Sequence, residues 1–487
     1  WDINSWDINS WDINSWDINS WDIDMALWQK SAVELSAGLR SKQFSATEII
    51  ESTLARIAEA NPGLNAIVEI FPEQALAQAQ QVDQKVARGQ ELKPLDGIPT
   101  SIKVNVDVEG MSNNNGIPAL KDNIAPGDSP VVANLKKAGA VIIGRTNTPE
   151  FSMRGTTDNP LYGLTKSPWD DRASPGGSSG GAGSACAAGF GPVHHGNDIG
   201  GSLRVPASAC GCATVKPGLG RIASFNPSAQ AERGLLSQLM SVQGAICREV
   251  KDVRLATEIM AGADPRDPWW MPVPFLGPSL DNRKIAFTKE NHGYPVHPDI
   301  LSGLDNAADM LRDAGYDVIE TDVPSVLPAA KAWFSVAIRE IKDGLGPIAQ
   351  QFGSETIQRI FDYYYEISEM VDHQGYMLGV GERTGLVRDW NIFLDEYPLI
   401  LTPFLMRPTY DYDYDETFEG AKDIFDSGIY SYGMNYMGLP AGSVPMGLVE
   451  NRPAGLQLVG RRFREDLILD ALEAIETRTG VLTHTRW

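Results

Sequence analysis

Apolar and polar positions along this chain fall into two periods, one of helices and one of strands. Between residues 31 and 60, Ile50, Leu54, Ile57 and Ala58 recur along one helical face. Ser31 with Glu34 and Ser45 with Glu48 each have the spacing of a capping box, so helix starts are expected there. Asn61-Pro62-Gly63 is expected to end the helical stretch. Residues 65–71 then read as a strand, 73–87 as a helix, and 98–106, apolar and β-branched, as a buried strand. Ser129 and Pro130 form an N-cap and first-turn pair for a helix to Gly139, and residues 140–144 read as the next strand. Near the C-terminus a strand is expected at 456–460 and an amphipathic helix from Glu465 to about Thr477. Helix and strand taking turns in this way predicts an α/β fold, a sheet with helices on both faces.

One residue interrupts the apolar pattern. Lys103 lies inside the predicted buried strand, whereas most lysines are solvated surface charges. Within such a strand a lysine must pair or lose its proton, because desolvation disfavours the ammonium. A neutral amine is a usable base near neutral pH.

A second departure is the stretch 174–206, SPGGSSGGAGSACAAGFGPVHHGNDIGGSLRVP. Its glycines bracket Ser178, Ser179 and Ser202, and the interruptions ACAAGF, PVHH and a paired Asp198 and Arg204 are foreign to a flexible linker. No Lys followed by Ser or Thr closes either glycine run, which excludes a P-loop. GGSSGGAG can be forced onto a dinucleotide fingerprint, but the polar residues 168–175 before it do not make a strand. An isolated Gly-Ser run is ordinarily a structural turn; the company this one keeps reads as a catalytic loop.

Composition narrows the partners. Residues 1–24 repeat WDINS and end in WDID; the repeat fits neither a heptad nor a solenoid and is set aside as an added segment. With 487 residues, a formal charge of −22 and 43% hydrophobic residues, the chain is that of an acidic, globular enzyme. The acidity disfavours nucleic acid and anionic membrane as partners. No apolar run reaches membrane-spanning length and no signal peptide follows Met25, so a cytoplasmic protein is expected. Cys186, Cys210, Cys212 and Cys247 match no zinc framework and are expected to be buried thiols. His194 and His195, adjacent in sequence, point apart in any regular element, so neither a metal site nor a cofactor is expected.

PGGSSGG followed by NDIGGSLRVPA resembles the signature of the amidase signature hydrolases, and Ser178 and Ser202 stand at the separation that signature implies. DGIPTSIKVN resembles the family's lysine segment, and the likeness continues through LKKAGAVIIGRTNTPEF, TTDNPLYG, PWD, KPGLGRI, MGLPAGSVPMGL and PAGLQLVG. It fades between about 265 and 398. Within the family the chain is most similar overall to bacterial carbamate-cleaving members, the urethanases. The resemblance implies an amidase signature fold, a mixed central β-sheet covered by α-helices on both faces, with residues 25–487 as a single domain and 265–400 as a variable, substrate-shaping region.

It further implies that Ser202 attacks the substrate carbonyl, Ser178 passes the proton and neutral Lys103 accepts it, with a cis peptide at Gly177–Ser178. The backbone N–H groups of Ile199, Gly200, Gly201 and Ser202 are placed to converge on an oxyanion. Gly177, Ser179, Asp198 and Arg204 are read as supporting residues, the last two as an ion pair. Met153, Arg154 and Arg221 are candidate substrate contacts; Arg154 reads equally as a residue of the pocket mouth or of the solvent face, and Arg221 also as a structural salt bridge. Three positions depart from the family pattern: Val104 follows Lys103 where Asp is usual, Arg154 replaces a small residue, and Asn197 replaces Thr. DYDYDE at 411–416 reads as an acidic surface segment. Trp269, Trp270, Trp333, Phe334, Tyr363, Tyr364, Tyr365 and Trp390 are read mainly as core, with some lining an apolar pocket.

These readings combine into a cofactor-independent serine hydrolase, monomer or homodimer, cleaving amide or carbamate bonds of small aromatic or apolar substrates with water. The alternatives are the glutaminase subunit of a tRNA-dependent amidotransferase, and a non-catalytic amidase-like binding protein.

Overall fold

The computed structural model describes residues 26–486; the WDINS repeat lies outside the described residues. Capping sets the first helices, α1 (Ala32–Arg40) and α2 (Ala46–Leu64). The hydroxyls of Ser31 and Ser45 accept the N–H of Glu34 and Glu48, and each glutamate accepts the serine's own N–H in return. α2 does not stop at Asn61-Pro62-Gly63 but runs through Pro62 to Leu64. The proline removes one N–H of the last turn, and the helix ends two residues later. Asn61 Oδ1 then accepts from Ala66 and Ile67 N–H, and Asn65 turns left-handed at φ 52°, which makes the exit. Ser129 precedes the helix α4 (Pro130–Lys137), after α3 (Pro72–Ala87), but its hydroxyl makes no capping bond.

The strands are β1 (Ile67–Ile70), β2 (Pro99–Lys103), β3 (Val141–Thr146), β4 (Val193–Asp198), β5 (Ala213–Lys216), β6 (Val242–Cys247), β7 (Lys284–Phe287), β8 (Asp317–Glu320), β9 (Leu399–Thr402), β10 (Ala441–Ser443), β11 (Pro445–Val449), β12 (Arg452–Gly455) and β13 (Gln457–Gly460). Among the described residues eleven of them make one mixed sheet, β1-β3-β2-β4-β6-β5-β10-β13-β9-β7-β8, and β11 with β12 makes a separate ribbon. Pairing is parallel along β3-β2-β4 and β9-β7-β8 and antiparallel elsewhere. Helices cover both faces, as the alternation predicted. Val141 and Ile143 pack with Ile50, Ile57 and Val82 of α2 and α3, while Ile142 between them packs with Ile102, Val131 and Leu135 on the other side. Among the described residues no helix is long and apolar enough to cross a membrane.

α5 (Gly180–Ala187) and α6 (Arg204–Cys210) follow the two serine-bearing turns. All of α5 is buried, which its small side chains permit. At Gly181 backbone crosses so closely that a Cβ would stand 2.3 Å from Asn147 N and 2.7 Å from Ala66 O. Neither backbone atom can rotate aside. Gly181→Ala is therefore expected to destabilise the protein by about 1–3 kcal/mol, the ordinary cost of overpacking. Urea unfolding followed by circular dichroism should show a lower midpoint at unchanged slope.

Candidate active site

Lys103 ends β2 and is wholly buried. Its Nζ lies 2.8 Å from Ser178 Oγ, 3.1 Å from Ser179 Oγ and 2.9 Å from Asn197 Oδ1. Burial holds its pKa well below the usual 10.5, against the opposing pull of Asp198. The partners say how a neutral amine would sit. Asn197 Oδ1 can only accept, and Ser179 donates its own hydroxyl proton to Asn197 O, 3.3 Å away, so it too accepts from the lysine. Both N–H groups are then engaged, and the lone pair is left for the hydroxyl of Ser178. Asn197 is itself held by Asn105, whose Oδ1 accepts from Asn197 Nδ2 at 2.9 Å and whose Nδ2 donates to Ser152 Oγ.

The peptide bond Gly177–Ser178 is cis. Thr148 Oγ1 donates to Ser178 O at 2.9 Å, and Ser179 N–H donates to Ser202 O at 3.3 Å, tying the two serine segments together. Among the described residues no hydrogen bond joins the hydroxyls of Ser178 and Ser202. Ser202 is partly exposed and stands on the wall of a cleft, whereas Ser178 is buried behind it.

Asp198 and Arg204 are fully buried and paired, with Arg204 Nε 3.1 Å from Asp198 Oδ2 and Nη2 3.1 Å from Oδ1. Burial raises the Asp198 pKa, but the guanidinium beside it prevails and holds the carboxyl at about 2. The same carboxylate accepts the N–H groups of Gly201 (2.7 Å) and Leu203 (3.1 Å), so it shapes the loop after β4. This revises one expectation. Gly201 N–H already has a carboxylate acceptor, so the open donors of the loop are those of Ile199, Gly200 and Ser202. Arg204 also donates to Gln457 Oε1 at 2.7 Å and to Ser431 O at 3.2 Å, which ties the loop to β13 and to the helix Ile429–Met437.

The cleft is lined by Met153, Arg154, Gly177, residues 199–202 and Val205 on one side. Trp333, Tyr364, Leu405, Ile424, Phe425 and Tyr432 line the other. Phe334 stacks behind this wall on Phe425, with ring centroids 4.8 Å apart, while Trp333 lies 4.7 Å from Tyr432. Thus Trp333 and Tyr364 line the cleft, Trp390 is core, and Trp269 is exposed. Arg154 lines the cleft without facing solvent. Its guanidinium makes a two-pronged pair with Asp415 (2.8 and 3.1 Å) and reaches Glu416 at 3.1 Å. DYDYDE is accordingly not wholly a surface segment, since Asp415 is buried as the counter-charge of Arg154. Arg221 is not on the cleft wall. It pairs with Glu465 at 2.9 Å, donates to the carbonyls of Val273 and Pro274, and packs on Phe463, a structural ion pair in place of a substrate contact.

The histidines are also structural. His194 Nδ1 lies 2.7 Å from Ser101 Oγ, His195 Nε2 lies 3.0 Å from Gln243 Oε1, and burial pushes both pKa values down to about 3. The four cysteines are buried free thiols. A larger open hollow of about 570 Å³, between Arg383, Arg388, Ile392 and Arg461, contains none of the candidate residues. Sequence reasoning passed over Asn197 as a working partner of Lys103, although its departure from the family pattern had singled it out. Asn105, Ser152 and Ser431 carried no local signal, because their roles depend on segments distant in the chain.

Comparison with known proteins places the chain in a family. A family model described as Amidase matches residues 48–469. An indoleacetamide hydrolase of Bradyrhizobium diazoefficiens is 46% identical over 465 residues, covering 95% of this chain and 88% of the relative. A glutamyl-tRNA(Gln) amidotransferase subunit of Moorella thermoacetica is 34% identical, covering 93% and 98%. Among solved structures, a bacterial aryl acylamidase of the amidase signature family superposes with a TM-score of 0.81 at 27% identity, covering 94% of this chain and 97% of that one. With the family match spanning most of its length and the mixed sheet shared with those structures, the chain belongs to the amidase family and is a hydrolase of amide C–N bonds.

Proposed function

We propose that this enzyme hydrolyses small aromatic primary amides of the indoleacetamide kind through an acyl-enzyme on Ser202. The observation that carries the reading is the engagement of Lys103: its partners Asn197 and Ser179 leave the amine lone pair for Ser178, whose segment is tied through Ser179 N–H to Ser202, a serine on an aromatic-walled cleft. Ser202 Oγ adds to the amide carbon, its proton passes to Ser178, and the Ser178 proton passes to Lys103. The carbonyl electron pair moves onto oxygen, where the N–H groups of Ile199, Gly200 and Ser202 meet it. The amide nitrogen takes the proton back through Ser178 and leaves as ammonia. Water then adds to the ester by the same relay, releasing the acid and restoring Ser202. The relay requires a Ser178 to Ser202 hydrogen bond that forms when substrate fills the cleft, as catalytic hydrogen bonds commonly do.

Two features support an aromatic primary amide. The Bradyrhizobium relative is named for indoleacetamide, and the cleft wall is built from Met153, Trp333, Leu405, Ile424, Phe425 and Tyr432. Glutamine fits less well. The guanidinium on the wall, Arg154, is already held by Asp415 and Glu416 and offers no free cation to an amino-acid carboxylate. A carbamate presents the same electrophilic carbonyl and is one of the substrates expected from the sequence; the relatives above are named for indoleacetamide and for a tRNA amidotransferase, so it is the second substrate to try.

The test is product release by the purified protein on indole-3-acetamide, an aryl carbamate and glutamine, each compared with Ser202→Ala. Indole-3-acetamide should yield ammonia and the acid, with a loss of roughly 10⁴-fold or more in the variant. Turnover of glutamine alone would instead support the amidotransferase reading, and none on any substrate a non-catalytic binding protein.

The pH profile should carry the signature of Lys103. A protonated lysine has no lone pair, so kcat/KM should fall with unit slope as pH drops through the lowered Lys103 pKa, and rise to a plateau above it. His194 and His195 lie near 3 and cannot supply a limb near neutrality. In Lys103→Ala the residual rate should lose that limb; a profile unchanged in shape would remove Lys103 from the proton path.

A further inference from the structure

The loop after β4 is gripped from outside at three consecutive carbonyls of its own. Asn435 Nδ2 donates to Asp198 O at 3.3 Å, Trp333 Nε1 to Ile199 O at 2.9 Å, and Ser431 Oγ to Gly200 O at 2.9 Å. A trans peptide is planar with its C=O and N–H opposed, so whatever grips the carbonyl of one residue aims the N–H of the next. Among the described residues the only cis bond is Gly177–Ser178, so these peptides are trans. Asn435 thereby aims Ile199 N–H, Trp333 aims Gly200 N–H, and Ser431 aims Gly201 N–H. The last of these is taken by Asp198. Of the two that remain open, that of Gly200 hangs on the shorter bond.

We infer that Trp333 is a positioning residue for the oxyanion donor Gly200 N–H, acting through its indole N–H on the Ile199 carbonyl; this rests on the acyl-transfer reading above. The surroundings are built to hold this geometry. The indole is 4% exposed and packs on Tyr432 and Phe334. Gly200 meets it closely, since a Cβ there would lie 3.0 Å from Trp333 Cζ2 and 3.1 Å from Tyr432 Cε1. Trp333 also opens a π-helical turn, Trp333–Ala337, between the helices Leu327–Ala332 and Ile338–Gly344. Such turns are rare and recur at functional sites, where the extra residue changes which side chains face the neighbouring element. The indole thus has two roles, a ring in the cleft wall and a donor behind the oxyanion loop. A residue of the variable middle region would then set the rate of the reaction as well as the shape of the substrate.

The experiment separates the two roles by removing the N–H and keeping the ring. Position 333 is replaced by β-(3-benzothienyl)alanine through site-specific incorporation, and in parallel by Trp333→Phe, with thermal unfolding followed for both. On indole-3-acetamide, the isostere should lower kcat about 10- to 100-fold with KM within about threefold, as for loss of part of an oxyanion hole. Affinity for an arylboronic acid, which forms a tetrahedral adduct on serine, should fall by a similar factor, while affinity for indole-3-acetate should hold. Unchanged kcat in the isostere would overturn the inference, and so would a loss confined to Trp333→Phe or one shared equally between kcat and KM, which would mark a packing role. If the unaltered enzyme neither turns over amide nor binds the boronate, the acyl-transfer reading falls, and this one with it.

Discussion

A primary amine sealed inside a β-sheet cannot keep its proton cheaply, and much of the site follows from that. Lys103 is removed from water on every side, and desolvation favours its neutral form over the ammonium. The nearest full charge that could reverse this, Asp198, is already committed to Arg204 and to two backbone N–H groups. A neutral amine in turn needs its two N–H groups satisfied, and Ser179 and Asn197 do so. What remains is a lone pair with one hydroxyl before it. The usual aspartate after the lysine is here Val104, wholly buried, so no carboxylate next in sequence acts against that neutrality.

The loop proposed to hold the oxyanion is constrained in a different way. Its short glycine-rich backbone has little preference of its own, and its shape is imposed by contacts from far along the chain. Asp198 gathers N–H groups from inside the loop, while Arg204, Ser431, Asn435, Gln457 and Trp333 fasten it from outside. Removing one partner from a buried ion pair such as Asp198 with Arg204 typically costs about 3–5 kcal/mol, because the other charge is left stranded. A loop held by so many groups would stay in place while charge developed beside it in the proposed reaction, and donors that need no reorganisation stabilise a transition state most.

The second buried pair, Arg154 with Asp415, shows the same logic at the substrate wall. An arginine where small residues are usual would put a bare cation into an aromatic cleft. Asp415 and Glu416 neutralise it, and the wall stays suited to uncharged substrates. That neutralisation separates the proposed aromatic-amide chemistry from a glutaminase, whose substrate carries a carboxylate.

How much of this was legible in the chain depends on the range of the physical forces involved. Caps, turns and apolar periods act over three or four residues, and the starts of α1 and α2, the buried run of β2 and the exceptional Lys103 could all be read directly. The serine segments were legible because their glycines, serines and the Asp198–Arg204 pair are compressed into a few neighbouring residues. The end of α2 was misjudged because an asparagine side chain, and not the proline, decides where that helix stops. Arg154, Arg221 and DYDYDE were ambiguous because a charged side chain takes its role from its partner, and Asp415 and Glu465 lie more than two hundred positions away. By itself the sequence determined the α/β class, most local elements and the few residues on which the proposed acyl-transfer chemistry rests. Only the tertiary structure decided which N–H groups of the loop are open, what neutralises each buried charge and which aromatic rings form the cleft, because those outcomes are set by desolvation and by hydrogen bonds between segments that meet only when the chain has folded.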